Sequence, residues 1–252
     1  MKTPNNKIVC QICDKNQTYL YHEDNQFNLL ECNNCGFIWL DPMPNDSEIK
    51  LLYNNAYNES SESYFIKVGK KLKRSRSRAK RFRKLFNKDY SVSFLDIGSN
   101  GGFMSEAARE NGFISTGIEI DPISIKYAKK NYPKNEYFEG TVEKYTKIYP
   151  DKRFDFIYCS EVIEHIIDLN SFMNSIKNLL NKNGFLYITT PDIKHWRRNK
   201  SLKDWDAYCP PAHCLFFSKK SLDLLLKKNK FIIYKKYFAF KPGIKILAKF
   251  IN

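Results

Sequence analysis

The stretch Ser93-Phe94-Leu95-Asp96-Ile97-Gly98-Ser99-Asn100-Gly101-Gly102-Phe103-Met104 constrains the fold more than any other. Its apolar run reads as a buried strand that breaks into a glycine-rich turn, after which Phe103, Ala107 and Ala108 recur at helical spacing. Such a turn cradles a nucleotide-type ligand at the carboxyl edge of a parallel sheet. Small residues let the backbone come close, and the first N–H groups of the helix are unpaired. The spacing of Asp96, Gly98 and Gly102 differs from the dinucleotide fingerprint, in which the first glycine follows the strand directly.

Phe113-Ile114-Ser115-Thr116-Gly117-Ile118-Glu119-Ile120-Asp121 reads as a second strand ending in acids, and Pro122 opens a helix. A carboxylate at that strand tip accepts both hydroxyls of a ribose. An acid, a glycine-rich turn and an acid at the second strand tip resemble the class I S-adenosylmethionine-dependent methyltransferases. The resemblance implies that Asp96, Gly98 and Gly102, with Ser99 and Asn100 of the same turn, line the methionine end of the cofactor. It implies that Glu119 binds the ribose, that Thr141 and Val142 lie near the adenine, and that Glu161 borders the cofactor. Asn100 stands where many members carry the middle glycine, with Gly101 beside it.

Near the N-terminus, Cys10-Gln11-Ile12-Cys13 and Cys32-Asn33-Asn34-Cys35 form two Cys-x2-Cys knuckles separated by 18 residues. This is the spacing of a four-cysteine zinc ribbon, in which each tight turn aims two thiolates at one tetrahedral ion. Thr18–Tyr21 and Phe27–Leu30 read as short strands between the knuckles, with His22 in a solvated turn. A segment this small has little core, so the metal supplies much of its folding energy. Four cysteines leave no open coordination position, so the site reads as structural.

The net charge of +15 is concentrated. Residues 67–88 hold twelve Lys or Arg and no acid, and without them the rest of the chain carries 15 − 12 = +3. Phe65, Val68, Leu72, Ala79, Phe82 and Phe86 give this stretch an apolar helical face. Its outer side is either a plain solvated surface or a contact for a polyanion such as RNA, an anionic glycan, a nucleotide-linked sugar or an acidic lipid surface. No apolar run approaches the roughly 20 residues of a membrane span. With four cysteines at metal spacing and Cys159, Cys209 and Cys214 scattered, the expected setting is the reducing cytoplasm, with a peripheral position at the inner membrane face as a variant.

The remaining chain alternates strands and helices. After the ribbon, Phe37–Leu40 reads as a strand stopped by prolines, and Asp46 caps a short helix through Leu51, Leu52 and Tyr53. Tyr53, Tyr57 and Tyr64 either cover the cofactor cleft or pack. Ile123–Asn131 reads as a helix, Asn135–Glu139 as a third strand and Phe154–Cys159 as a fourth. A helix from Ile166 stops at Asn183-Gly184, Phe185–Thr190 is the fifth strand, Ser218–Asn229 a helix and Phe231–Phe240 a strand. Ile244–Phe250 reads as a last antiparallel strand, or as a small amphipathic helix that touches a membrane. The expected architecture is α/β: a Rossmann-like methyltransferase sheet, mostly parallel, behind a small zinc ribbon. The boundaries fall at 1–45 for the ribbon, 46–90 for a helical linker and 91–252 for the methyltransferase domain.

Candidate groups for chemistry are Glu161, Glu164, His165 and His213. A helix starting near Ile163 would put Glu164 and His165 on its first turn at the carboxyl edge, with Glu161 at the strand tip. The long stretch 191–212, with Trp196, Trp205 and Tyr208, is expected to build the acceptor pocket. His195, among Lys194, Arg197 and Arg198, is expected to be exposed. Three readings stay open. His213 or His165 is a general base for a hydroxyl; the four residues bind a divalent Mg or Mn ion; or they are helix-start and packing residues. Glu-x-x-Glu-His followed by a distant His resembles the magnesium site of the small-RNA 3′-terminal 2′-O-methyltransferases. Ubiquinone-biosynthesis O-methyltransferases carry a similar motif. The whole layout resembles bacterial methyltransferases of surface glycans and capsules, and the first two domains of zinc-binding sugar C-methyltransferases. These resemblances imply an S-adenosylmethionine-dependent O-methyltransferase acting on a surface polysaccharide or its nucleotide-linked precursor. An RNA 2′-O-methyltransferase and a non-catalytic cofactor-binding module are the alternatives.

Overall fold

The computed structural model describes residues 9–24, 26–45, 48, 65–87 and 89–251. The expected helix after Asp46 and the tyrosines Tyr53, Tyr57 and Tyr64 lie outside these residues. In chain order the strands are β1 Thr18–His22, β2 Asn28–Cys32, β3 Ile38–Asp41, β4 Val92–Ile97, β5 Phe113–Glu119, β6 Glu136–Glu139, β7 Phe154–Ser160, β8 Leu180–Thr190, β9 Leu215–Phe216, β10 Phe231–Lys236 and β11 Ile244–Phe250. The helices are α1 Val68–Arg83, α2 Phe103–Glu110, α3 Pro122–Asn131, α4 Val142–Ile148, α5 Leu169–Leu179 and α6 Lys219–Lys228.

Seven strands form the main sheet in the order β10-β11-β8-β7-β4-β5-β6. β8, β7, β4, β5 and β6 pair in parallel, and the expected α/β sheet is therefore present. β11 runs antiparallel between β8 and β10, which makes it the reversed strand and rules out the alternative C-terminal helix. Its alternation fits: Ile244, Ile246, Leu247, Ala248 and Phe250 are buried.

Capping residues set several helix starts. Asp121 accepts from the amides of Ile123 and Ser124 ahead of Pro122, and Asp168 accepts from Ser171. Ser218 and Ser221 form a capping box. Four departures from the sequence reading have local causes. α5 ends at Leu179 rather than at Asn183-Gly184, because Leu180 is buried and pairs with Phe154, so β8 begins there. Asn183, at φ 63°, is absorbed within the strand. β10 stops at Lys236, and the residues to Phe240 form the tip of its hairpin with β11. Helix α4 was not expected; Thr141 caps it by accepting from Lys144.

The basic helix lies against the sheet. Ser75, Ala79 and Phe82 are buried, and the Phe82 ring sits 4.7 Å from Phe156 and 4.8 Å from Tyr187. Several of its cations are committed inside the protein. Arg76 makes a bidentate ion pair with Glu110, Arg83 donates to the carbonyls of Asn87 and Tyr90, and Arg81 covers the Tyr237 ring. Lys70, Lys73, Arg74, Lys80 and Lys84 are exposed.

The small sheet joins the cysteine segment to the rest of the chain. Its order is β1-β2-β3-β9, and β9 begins two residues after His213. Ile38 pairs with Phe216 and Trp39 with Leu215, and the Leu40 amide donates to Cys214 O at 3.0 Å. Phe37 packs on Phe217 at 5.1 Å, and one core runs from Cys10 through Trp39 to Phe217 and Ile188. The cysteine segment shares its sheet and core with the α/β part of the chain.

Candidate functional site

β4 ends at Ile97, just after Asp96, and there the chain turns sharply. Gly98 has φ 70° and Gly102 φ 77°, both in the left-handed region that favours glycine. A Cβ on Gly98 would meet Val162 Cγ2 at 2.5 Å, and one on Gly102 the Tyr137 hydroxyl at 2.5 Å. Asn100 also has positive φ, 48°, which asparagine tolerates, and its Oδ1 accepts from the Gly101 amide at 2.7 Å. Asn100 therefore stabilises the turn in place of a glycine.

Glu119 stands at the tip of β5, neighbouring this turn. Its Oε2 accepts from the Asn100 amide at 2.8 Å and its Oε1 from the amides of Ile120 and Asp121. Burial pushes its pKa up while these amides pull it down. Asp96 is fully buried and accepts from Ser105 Oγ at 2.8 Å; burial pushes its carboxyl up to about 7. Among the described residues, the buried Ser99 and Tyr137 hydroxyls have no hydrogen-bond partner. Orphaned donors beside glycines that exclude a Cβ, with an acid at the next strand tip, fit a polar ligand bearing hydroxyl and amino groups. Thr141 and Val142 follow β6 at the same sheet edge, Val142 buried and Thr141 engaged as the α4 cap.

A second cluster lies beyond β7. Glu161 has φ 57°, and its Oε1 accepts from Thr189 Oγ1 at 2.6 Å. The expected helix start at Ile163 is a single 3-10 turn, Ile163–His165, separated from α5. Glu164 is buried; Thr190 Oγ1 donates to its Oε2 at 3.0 Å, and Oε1 has no partner among the described residues. Burial and the Glu161 charge push its carboxyl up to about 8. The rings of His165 and His213 lie 4.5 Å apart at 80°. His165 Nδ1 is 2.8 Å from Ala212 O and His213 Nδ1 2.8 Å from Ala207 O. Carbonyls only accept, so each Nδ1 carries the proton and each Nε2 keeps its lone pair. Burial lowers both imidazoles, His165 to about 4, so both are neutral at pH 7.

Glu164, His165 and His213 each offer a ligand atom within 4.8 Å of the others. Two neutral imidazoles whose Nδ1–H groups are fixed by carbonyls, beside the buried carboxyl group of Glu164, fit a divalent cation that would draw off the carboxyl proton. Glu161 borders this trio without being one of it. The structure thus brings Glu164, His165 and His213 together across about 50 residues of chain; the Cys214 amide donating to Glu164 O at 3.0 Å pins the two segments.

Residues the sequence reading did not single out support this site. Arg78 donates to the Tyr158 hydroxyl at 2.7 Å. Nearby, Ser160 Oγ lies 2.7 Å from Thr189 Oγ1, and Thr189 donates to Glu161. Because the Thr189 proton goes to the carboxylate, the Ser160 hydroxyl donates to Thr189. Adjacent Thr189-Thr190 at the end of an apolar strand was the sequence signal available for it.

Two other expectations change. His195 is buried rather than exposed, its Nε2 3.1 Å from Ala239 O. His22 is half-buried at the end of β1, edge-on to the Tyr208 ring at 5.8 Å, rather than in a solvated turn. The four knuckle cysteines do converge. Cys10 and Cys35 Sγ are 3.5 Å apart, as are Cys13 and Cys32, and all four lie within 4.8 Å of one another. That four-thiol set fits a tetrahedral zinc ion.

Comparison with known proteins places this geometry in context. A family model described as "Methyltransferase domain" matches residues 64–235. A ubiquinone biosynthesis O-methyltransferase of Glaesserella parasuis is 38% identical over 108 residues, covering 40% of this chain and 46% of the relative. One of Pelagibacter ubique is 30% identical over 163 residues, covering 55% and 63%. The chain thus spans less than two thirds of either relative. Among solved structures, the Burkholderia thailandensis 1,6-didemethyltoxoflavin-N1-methyltransferase, solved with S-adenosylhomocysteine, superposes with TM-score 0.61 at 14% identity, covering 92% of this chain and 99% of that one. The likeness at that identity is one of fold.

Proposed function

The chain belongs to the methyltransferase-domain family, and from that membership we propose that it is an S-adenosylmethionine-dependent O-methyltransferase for an acceptor with two adjacent hydroxyls. The observation that carries this reading is the trio Glu164, His165 and His213, with both imidazoles neutral and both Nδ1–H groups spent on backbone carbonyls. Imidazoles depressed by burial are poor general bases at neutral pH but good ligands for a divalent ion, which favours a metal site over a lone histidine base.

S-adenosylmethionine supplies a methyl group on a sulfonium, ready for in-line displacement. A bound Mg or Mn ion supplies Lewis acidity to the acceptor hydroxyl. The chain's own residues bind, orient and take the proton. The Gly98–Gly102 turn, with the Ser99 and Tyr137 hydroxyls and Asp96, holds the methionine end, and Glu119 takes the ribose hydroxyls. Thr141 and Val142 border the adenine. Glu161, oriented by Thr189, would accept the proton of the acceptor hydroxyl. Zinc at Cys10, Cys13, Cys32 and Cys35 is structural.

The relatives' names, ubiquinone biosynthesis O-methyltransferases, support a hydroxyl acceptor, and the surface polysaccharide or nucleotide-linked sugar expected from the sequence presents adjacent hydroxyls. The test is transfer of labelled methyl to lipid, polysaccharide and RNA fractions of the host, with and without a chelator. Label in the lipid or polysaccharide fraction that is lost on chelation and restored by Mg or Mn supports the reading. Label confined to RNA selects the 2′-O-methyltransferase instead. No label in any fraction, with S-adenosylhomocysteine bound, leaves a non-catalytic module.

A further inference from the structure

Three large aromatic side chains stand in solvent on one rim of the molecule: Phe238 is 79% exposed, Trp196 74% and Phe240 61%. They form one patch. The Arg197 guanidinium lies 3.8 Å over the Phe240 ring and 5.2 Å from the Trp196 ring, and His195 bonds to Ala239 O at 3.1 Å. Lys219, Lys236 and Lys245 line the adjoining cleft, with Lys236 paired to Asp223, and Lys241 follows at the hairpin tip. Apolar side chains this exposed and this close together mark a contact surface rather than scattered surface residues.

The patch adjoins the reaction site. β11 begins where β8 ends: Ile244 pairs with Thr190, whose hydroxyl donates to Glu164. The β10–β11 tip therefore projects from the same carboxyl edge that carries Glu161, Glu164 and His165.

We propose that this rim, Trp196–Arg197 with the Phe238–Lys241 hairpin tip, docks on an anionic lipid bilayer, so that the site opens toward the headgroups and the acceptor is a membrane-borne amphiphile. Three features select this occupant. Aromatic rings with an apolar body and neighbouring cations with apolar stems match the bilayer interface. The chain's net charge of +15 draws it to acidic headgroups. A single-stranded nucleic acid would need bare aromatic faces for base stacking, but Arg197 already covers the Phe240 face. The acceptor half of this inference rests on the O-methyltransferase reading; the docking half does not.

The experiment uses the full chain with vesicles of phosphatidylcholine alone or mixed with phosphatidylglycerol. Trp39 and Trp205 are buried and Trp196 is exposed, so intrinsic fluorescence reports on the rim. The mixed vesicles should sediment the protein and shift its emission to the blue, and salt should reverse both. Trp196→Ser with Phe238→Ser should weaken sedimentation roughly tenfold or more while leaving the melting temperature and S-adenosylhomocysteine affinity unchanged. No sedimentation with acidic vesicles, or undiminished sedimentation of the double variant, overturns the proposal. Binding of single-stranded RNA through the same two residues, with vesicles ignored, replaces it by a nucleic-acid surface. Methyl transfer plays no part in the readout. A protein that docks but fails to methylate refutes the function and leaves the docking intact.

Discussion

The imidazole rings of His165 and His213 lie 4.5 Å apart, edge to face, each with its Nδ1 bonded to a backbone carbonyl. The arrangement fixes tautomer and orientation before any ligand arrives. Paired neutral imidazoles in this state serve a cation better than they serve proton abstraction. Calorimetry with Mn should therefore detect one site, and Glu164→Gln or His213→Ala should weaken it roughly 100-fold while sparing S-adenosylhomocysteine binding. Unchanged Mn affinity in both variants would return these residues to packing.

Glu119 spends its carboxylate on three amides, one of them from Asn100 in the glycine-rich turn. Its loss removes an acceptor for ribose and loosens the turn together. Glu119→Ala should weaken S-adenosylhomocysteine by roughly 100-fold, since charge-assisted hydrogen bonds contribute about 1.5–3 kcal/mol each. Wild-type affinity in calorimetry would refute the assignment.

The parts legible in the sequence were those where one residue type answers one local demand. Gly98 and Gly102 stand where a side chain has no room, Glu119 ends a strand, and four cysteines share one ion. What the sequence hid depends on distant pairing. His195 looks exposed among basic neighbours, yet the hairpin tip folds over it. Leu180 continues a helical pattern, but pairing with Phe154 outweighs propensity and ends the helix. Arg78 reads as one more cation on a basic helix, because its partner Tyr158 lies 80 residues away.

That partnership carries a prediction. Arg78 donates to the Tyr158 hydroxyl, and its charge also acts on Glu161, so it helps to position that carboxylate. Arg78→Met should lower kcat roughly tenfold, the effect of one charge-assisted hydrogen bond, with KM for the cofactor unchanged and partial rescue by Arg78→Lys. A rise in cofactor KM with kcat intact would show that the residue serves packing of α1 instead.

Asp96 makes stability depend on pH. Its folded pKa, about 7, exceeds the ordinary 3.8 because burial disfavours the charge. Between those values the folded state holds a proton that the unfolded state has lost, so stability falls as pH rises until about 7 and is then flat. From pH 5.5 to 8 this group alone removes about 2 kcal/mol, at about 1.4 kcal/mol per unit over the 1.5 units below 7. Urea unfolding of Asp96→Asn should lack that part of the slope. Parallel profiles for the two proteins would mean that Asp96 is ionised when folded.

The pairing of β3 with β9 makes the cysteine cluster a support for the catalytic segment. Cys32 and Cys35 hold the turn into β3, β3 holds β9, and β9 begins two residues after His213. The glycine-rich turn and Glu119 lie instead on the parallel sheet. Removing zinc with a strong chelator, or by Cys32→Ser, should therefore separate the two halves of the site. S-adenosylhomocysteine affinity should stay within about twofold, while Mn affinity falls roughly tenfold or more and amide exchange quickens across Cys214–Phe217. If Mn binding and exchange at β9 are unaffected once the cysteines have lost their ion, the cluster is a stabiliser of its own knuckles alone. If cofactor affinity falls in step, the small sheet supports the whole fold rather than the His213 segment.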